Sequence, residues 1–291
     1  MPKPGKAFGN KRGRSLAVFE GGQRIFALFG NPVGHSLSPL MHHTAYGEMR
    51  INALYVPFCV PNLEDAVRGI RGMGIGGVSV TIPFKSEVLR YLDELEESAS
   101  RIGAVNTIIN EEGRLYGHNT DWIGFGRDLK EFLPIQGNTF GVLGAGGAAR
   151  AVLFGVLSEG GNPVVLNRTA AKGEALAKEF GCSFLPLSEI RLLKADCIVN
   201  TTSVGMAPQM ATSPLEAKVL GNFPHIVDII YNPLETKLLK EARKAGCRTR
   251  SGLGMFIQQG AEQIRLWTGM EPPVESMKRA VREKLEGYEK N

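Results

Sequence analysis

The chain has 291 residues, 43% hydrophobic and 22% charged, which is enough apolar material for a sizeable core and excludes a disordered chain. Its net charge of +5 arises from 34 basic and 29 acidic residues spread along the chain, which suits anionic small ligands and gathers no stripe for nucleic acid. Four scattered cysteines, without a C-x-x-C pair, argue against a zinc site or a disulfide framework, and no apolar run reaches the about 18 residues of a membrane span. A cytoplasmic protein without a secretory leader is expected.

Residues 1–24 carry Lys3, Lys6, Lys11, Arg12 and Arg14 among Gly and Pro, and are expected to form a flexible arm. From 25 onward, short apolar runs alternate with helical patterns. Strands are predicted at 25–30, 54–60 and 77–83, and helices at 40–49, 62–72 and 86–97. Residues 104–109 and 114–118 predict a strand pair around the turn Glu111-Glu112-Gly113, and 122–132 predicts a helix ending before Pro134. This alternation predicts an open, mostly parallel α/β sheet covered by helices. Cys59, Cys182 and Cys197 lie in or beside apolar runs, so buried free thiols are expected there.

A second α/β unit starts at Thr139. A strand over 139–143 runs into a glycine turn and a helix from Gly147, fitting G-x-G-x-x-A with Gly144, Gly146 and Ala149. Gly144 permits a sharp turn, Gly146 lets the backbone approach a pyrophosphate, and Ala149 lets helix and strand pack closely. The free N–H groups of such a helix start attract phosphate. The next strand, PVVLN, ends at Asn167-Arg168-Thr169 with Lys172 one turn on. A carboxylate for a ribose hydroxyl is missing there, and positive charge for a 2′-phosphate is present, as expected for NADP rather than NAD. The competing reading is a glycine-rich turn in some other α/β protein. Further strands are predicted at 197–202 and 225–230. Toward the C-terminus Phe256, Ile264 and Trp267 share one amphipathic pattern, and Val274, Met277, Val281 and Leu285 form a helical stripe suited to packing back onto the first unit.

Three polar groups stand out in the first unit. In GNPVGHSLSP, Ser36 and Ser38 are two apart, so in an extended segment both hydroxyls point one way and would hold a carboxylate; equally, Ser38 is a natural helix cap with Pro39 as first helical residue. In GVSVTIPFK, Lys85 follows a strand end, where open α/β sheets bind ligands. Its alternative is a solvated lysine in the first turn of the next helix, where the helix dipole disfavours a cation. In GHNTDWIG, Asn119, Thr120 and Asp121 make a turn with a capping residue, or Asp121 pairs with Lys85 across a cleft and tunes it. The five histidines show no metal-ligand spacing, and no metal site is expected.

Taken in order, GNPVGHSLSP, VTIPFK, GAVNT (103–107), HNTD, GAGGAAR, NRT, NTTSVGM (200–206), the stretch from Asp228 to Tyr231 and SGLGMFIQQGA (251–261) resemble the shikimate dehydrogenase family over nearly the whole chain. The resemblance implies a substrate-binding domain (25–122 and 256–291) and a Rossmann-type NADP domain (123–255) facing across a cleft. It implies reversible, NADPH-dependent reduction of 3-dehydroshikimate to shikimate, on the route to chorismate and the aromatic amino acids. It assigns Ser36 and Ser38 to the substrate carboxylate. Thr81, Lys85, Asn106, Asp121, Tyr231 and Gln259 would line the rest of the pocket, with Lys85 and Asp121 as catalytic pair. Gly144, Ala145, Gly146, Gly147 and Ala148 would hold the pyrophosphate, and Asn167, Arg168, Thr169 and Lys172 the 2′-phosphate. Glu97, Ile229 and Gly252 match peripheral cofactor contacts.

The departures from the family's pattern are Ser79 for a common Asn, His118 for a common Asp, and Lys172 for a common Arg, which keeps the charge but loses the planar fork. Two other functions are weighed against this one: a quinate/shikimate dehydrogenase of relaxed specificity, which Ser38 counts against, and a non-catalytic NADP-binding regulator, which the presence of both Lys85 and Asp121 counts against. The methylene-tetrahydrofolate dehydrogenases share the domain order but not the Ser-x-Ser and Asn-Thr-Asp motifs. A monomer or homodimer acting on a small molecule, with no nucleic acid or membrane partner, is expected.

Overall fold

The computed structural model describes residues 22–289. Residues 1–21, which make up most of the expected arm, lie outside the described residues, and β1 (Arg24–Gly30) already begins at the arm's expected last residue. There follow α1 (Ser38–Glu48), β2 (Ala53–Cys59), α2 (Leu63–Gly72), β3 (Gly77–Val80), β4 (Glu94–Leu95), α3 (Glu97–Ile102) and the hairpin β5 (Thr107–Glu111) and β6 (Arg114–His118). These strands form a six-stranded sheet of order β2-β1-β3-β5-β6-β4. Its β2, β1 and β3 are parallel, the β3-β5-β6 stretch is antiparallel, and β4 runs parallel to β6.

After α4 (Asp121–Lys130) come β7 (Thr139–Leu143), α5 (Gly147–Ser158), β8 (Asn162–Asn167), α6 (Ala170–Phe180), β9 (Ser183–Pro186), β10 (Cys197–Asn200), α7 (Ala217–Leu220), β11 (His225–Asp228), α8 (Lys237–Lys244) and β12 (Arg248–Ser251). Their sheet is parallel throughout, in the order β12-β11-β10-β7-β8-β9. The order reverses beside β7, and that switch point is where open α/β sheets of this kind hold a dinucleotide. The apolar runs VVL in β8 and IV in β10 and β11 suit strands covered by helices on both faces.

The last two helices, α9 (Leu253–Thr268) and α10 (Val274–Glu289), return to the first sheet, as their stripe predicts. Phe256, Ile264 and Trp267 from α9 and Met277, Val281 and Leu285 from α10 share one buried cluster with Phe26, Tyr46 and Tyr55. Trp267 stacks on Phe26 with ring centroids 4.9 Å apart, and its indole N–H donates to the Ile108 carbonyl at 3.0 Å. Helix α4 joins the two units. On one side it meets α9 so closely that a Cβ on Gly124 would lie 2.7 Å from the Gln259 backbone nitrogen and 2.8 Å from the Met255 carbonyl oxygen. On the other, Trp122 packs edge-on against Phe154 of α5. No helix among the described residues is long and apolar enough to cross a membrane.

Two expectations need correction. Residues 86–97 do not form one helix. A 3-10 turn at Val88–Tyr91 gives way to β4, because Asp93 is drawn to β6: its carboxylate accepts the Leu115 N–H at 2.7 Å and an Arg71 N–H at 2.8 Å. Glu96 then caps a new helix, α3, accepting from the Ser98 N–H at 2.9 Å. Cys59 is exposed rather than buried, since it ends β2, the outer strand of its sheet; Cys182 is half-buried, and Cys197 is buried as expected.

The α4–α9 crossing leaves no room for a methyl group. Gly124→Ala is expected to lower stability by about 1–3 kcal/mol, an overpacking cost. Thermal unfolding checks this, and a Tm equal to wild type would refute the close-packing argument.

Candidate active site

The loops that follow β1 and β3 and the turn between β6 and α4 open on one side. After β1 the chain turns, with the Ser36 N–H donating to the Val33 carbonyl at 3.0 Å. Ser38 is not the helix cap expected from its position. It is the first residue of α1, Leu37 occupies the cap, and no side chain caps the helix. Its own N–H donates to the Ser36 hydroxyl at 3.2 Å, and the two hydroxyl oxygens lie 3.1 Å apart. Both hydroxyls therefore sit together at the start of α1, that of Ser36 accepting the first helical N–H. Tyr231, just past β11 of the other sheet, comes to the same place. Its ring stacks on Phe256 at 3.9 Å, and its hydroxyl faces Ser36 and the Leu37 backbone. Burial raises the pKa of this phenol.

Thr81 leaves β3 with its N–H donating to the Phe29 carbonyl at 2.9 Å. Lys85 stands four residues on, in an irregular turn ahead of the 3-10 segment rather than in a helix's first turn, so the dipole argument does not apply to it. Its carbonyl accepts the Val105 N–H at 2.7 Å, which pins the turn to the irregular segment leading into β5. The Lys85 ammonium donates to Asp121 Oδ2 at 2.6 Å, and both side chains are largely buried. The other Asp121 oxygen accepts from Asn106 Nδ2 at 2.8 Å, and the Asp121 N–H donates to Asn119 Oδ1 at 3.0 Å. Asn106 is fixed in turn, because its Oδ1 accepts the Thr120 N–H at 2.7 Å. Gln259 approaches from α9, with Oε1 3.5 Å from Asn106 Nδ2. Lys85, Asn106, Asp121 and Gln259 thus form one group, and Ser36, Ser38 and Tyr231 another.

The glycine turn meets the first group directly. A Cβ on Gly147 would lie 3.1 Å from Lys85 Cβ, so the helix start packs on the lysine stem. Gly144 has φ +116°, a left-handed backbone suited to glycine, and its N–H donates to the Leu166 carbonyl at 2.8 Å. A Cβ on Gly146 would meet nothing within 4 Å, which leaves an open cradle, and no side chain caps α5. Ala145 and Ala148 add only small side chains. A pyrophosphate fits this uncapped helix start without displacing any protein group. At the end of β8, Asn167 Nδ2 donates to the Thr169 carbonyl at 2.8 Å and shapes the turn, while Arg168 and Lys172 are exposed. Among the described residues neither cation forms an ion pair, so both are available to an anion. Gly252 lies against the Ile229 backbone, closer than a side chain would allow. Glu97 is exposed in the first turn of α3, and among the described residues no hydrogen bond or ion pair joins it to the other expected cofactor residues.

One buried cluster near the switch point is hard to read in the sequence. Asn200 and Asp228, in register at the ends of β10 and β11, face each other with Asn200 Nδ2 donating to Asp228 Oδ1 at 3.0 Å. Asp228 also accepts from the Ile230 N–H at 3.1 Å and the Thr236 hydroxyl at 2.7 Å, and Asn200 Oδ1 accepts the Thr202 N–H at 3.0 Å. This ties the loop beside Gly144 to the segment that carries Ile229 and Tyr231. The signal is a single polar residue closing each apolar strand, CIVN and HIVD. Burial raises the Asp228 carboxyl to about 6.

Residues 28–108 match the family model for the shikimate dehydrogenase substrate binding domain, and residues 252–282 match the model for the shikimate 5′-dehydrogenase C-terminal domain. A protein of Geobacillus kaustophilus named shikimate dehydrogenase (NADP(+)) is 45% identical over 273 residues, covering 90% of this chain and 99% of the relative. The chain belongs to the shikimate dehydrogenase family. Among solved shikimate dehydrogenases, one in complex with NADP+ superposes with a TM-score of 0.87 at 42% identity, covering 92% of this chain and 98% of that one. Another, from Thermus thermophilus in complex with NADP(H) and shikimate, gives a TM-score of 0.82 at 41% identity, covering 90% and 99%. The two-unit α/β architecture is that of the shikimate dehydrogenases.

The raised Asp228 carboxyl has a signed consequence. Between its unfolded pKa of 3.8 and its folded value of about 6, the native state keeps a proton that the unfolded chain has lost. Its contribution to stability therefore falls as pH rises through that window, by at most about 1.4 kcal/mol per pH unit, and is constant above it. Asp228→Asn is expected to remove this segment, so that the variant gains on wild type from pH 4 to 6. Urea unfolding of both proteins across that range checks it, and parallel curves would refute it.

Proposed function

We propose that this chain is an NADP-dependent shikimate dehydrogenase that reversibly reduces 3-dehydroshikimate to shikimate. The observation that carries the reading is the Lys85 ammonium, bound to Asp121 at 2.6 Å and packed against Gly147 where the dinucleotide helix begins. A proton donor thus stands beside the helix start that closes the phosphate-binding turn. In the proposal, residues 25–122 and 256–291 bind substrate and 123–255 bind the dinucleotide. The names borne by the relatives agree with it.

In this reading the Ser36 and Ser38 hydroxyls donate to the substrate carboxylate at the start of α1, with Tyr231 beside them. Thr81, Asn106 and Gln259 face the ring hydroxyls and fix which ring carbon lies by Lys85. When bound, the nicotinamide supplies a hydride to the ketone carbon in one direction and takes it back in the other. As negative charge develops on the carbonyl oxygen, the Lys85 ammonium stabilises it and gives up its proton. In reverse the neutral amine takes the alcohol proton. Asp121 holds Lys85 in place throughout, and its second oxygen is held by Asn106. The main-chain N–H groups at Gly146, Gly147 and Ala148 bind pyrophosphate oxygens, and Arg168 and Lys172 pair with the 2′-phosphate.

The first test mixes purified protein with shikimate and NADP+ and follows absorbance of the reduced nicotinamide, with quinate and NAD+ as swaps. Rapid reduction of NADP+ by shikimate is expected. Turnover of quinate in its place moves the substrate, and binding of NADP+ without turnover of either leaves a binding protein.

Two substitutions refine it. Lys85→Ala is expected to lower kcat by about 100-fold or more and to change KM less, since general acid–base groups contribute about 10²–10⁴-fold; a kcat near wild type would refute the assignment. Arg168→Ala is expected to raise KM for NADP+ by about 10-fold or more, as loss of a hydrogen bond to a charged group does, while KM for NAD+ stays near its wild-type value. Equal effects on both cofactors would remove Arg168 from the 2′-phosphate.

A further inference from the structure

The polar group at Asn106 and Asp121 has a second wall behind it, inside the first unit. Gln263 lies one turn beyond Gln259 on α9 and is 2% exposed. Its Nε2 donates to the Asn106 carbonyl at 3.2 Å and to the Thr107 hydroxyl at 3.0 Å. Its Oε1 accepts from the Ser79 hydroxyl at 2.8 Å, and Ser79 accepts from the Tyr55 hydroxyl at 2.7 Å. Tyr55 is itself the neighbour of Ser38.

The amide groups fix most of the proton order. The Thr120 N–H fixes Asn106 Oδ1 as an acceptor, and the Thr107 hydroxyl donates to it at 2.9 Å, with the Thr120 hydroxyl a second neighbour at 3.3 Å. Thr107 then needs a donor of its own, which is Gln263 Nε2. The Gln263 amide is fixed the same way, because the Asn106 carbonyl can only accept. Its oxygen must therefore accept from Ser79, and Ser79 from Tyr55. A directed chain runs Tyr55, Ser79, Gln263, Thr107, Asn106 and ends on Asp121, opposite Lys85. Within this chain of six residues every donor finds an acceptor, which is what a buried polar network needs to specify one geometry. The wall carries no charge: His42, whose Nε2 faces Gln263, is held neutral by burial, its pKa lowered to about 3.

We propose that Gln263 is a positioning residue for the proposed reaction: through Thr107 it sets the Asn106 amide that holds Asp121 against Lys85, and through Ser79 and Tyr55 it links that end of the pocket to the Ser36–Ser38 end. Gln263 touches neither the substrate nor the reacting atoms; it acts through Asn106. Ser79, which departs from the family's common Asn, is the small hydroxyl that lets Tyr55 and Gln263 share one link. The proposal rests on the reading of Lys85 and Asp121 given above.

The test uses Gln263→Met, similar in length and without hydrogen bonds, and Tyr55→Phe, which deletes one oxygen. Gln263→Met is expected to lower kcat for shikimate oxidation by about 10-fold, because small misplacement of a catalytic group is costly. KM for NADP+ should stay within about twofold of wild type. Tyr55→Phe should lower kcat by about threefold alone and by nothing further in the Gln263→Met background, since both cut one chain. A fall in Tm with unchanged kcat, or fully additive losses, would overturn the proposal. Should Gln263→Met not fold, Tyr55→Phe carries the test, and an unchanged kcat overturns it. Should wild type itself fail to oxidise shikimate, that reading falls on its own. A crystal structure of Gln263→Met then decides this one: an Asn106 amide turned away from Asp121 supports it, and one still bound overturns it.

Discussion

A lysine and an aspartate taken largely out of water must compensate each other and satisfy their remaining donors and acceptors, or the site does not form. The Lys85–Asp121 pair meets that demand with material from four places. The turn after β3 brings the lysine, the start of α4 brings the aspartate, the segment leading into β5 brings Asn106, and the first turn of α5 closes over the lysine stem. Much of the surrounding structure can be understood as what keeps those four pieces in register.

The register is kept by close helix contacts and by cations that cross between elements. Helix α4 is pressed on α9 at Gly124 and on α5 through Trp122 and Phe154. Arg150 of α5 donates to the Ile102 carbonyl at the end of α3 and pairs with Glu179 of α6, so one guanidinium spans both units. Arg250 of β12 likewise pairs with Asp128 of α4, whose burial otherwise favours the neutral carboxyl. Both ion pairs lie within the second unit, one joining α5 to α6 and the other β12 to α4, and they hold the guanidiniums in place there, while the Arg150 bond to the Ile102 carbonyl reaches across to the first unit.

Much of this was legible in the residues. The G-x-G-x-x-A turn between a strand and a helix defines Gly144 and Gly146 by their backbone needs, and the stripe Val274, Met277, Val281 and Leu285 declares a helix that must bury one face. Lys85 and Asp121 could be singled out and their pairing raised as one of two readings, but the contact itself could not be established, because it depends on how far the β3 turn and the β6 turn lie from each other in space. The helix expected over 86–97 failed because Asp93 forms long-range bonds to Leu115 and Arg71, and tertiary pairing overrode the local pattern. Ser38 reads as a cap by type and position, yet it is the first helical residue, and its N–H is taken by the Ser36 hydroxyl. Gln263 carries no sequence signal at all: a glutamine on an amphipathic helix looks like a surface residue until the strands behind it are known.

Tyr231 is attached to the second sheet but stands by Ser36 of the first, while Gly147 of the second sheet's helix rests on Lys85 of the first. Both contacts bridge the two units, so a movement that parts the units there draws the tyrosine off the serines and the glycine turn off the lysine together. On the proposed function, the carboxylate pocket and the dinucleotide seat would then open and close together, and a ligand that tightens one would lower the cost of closing the other.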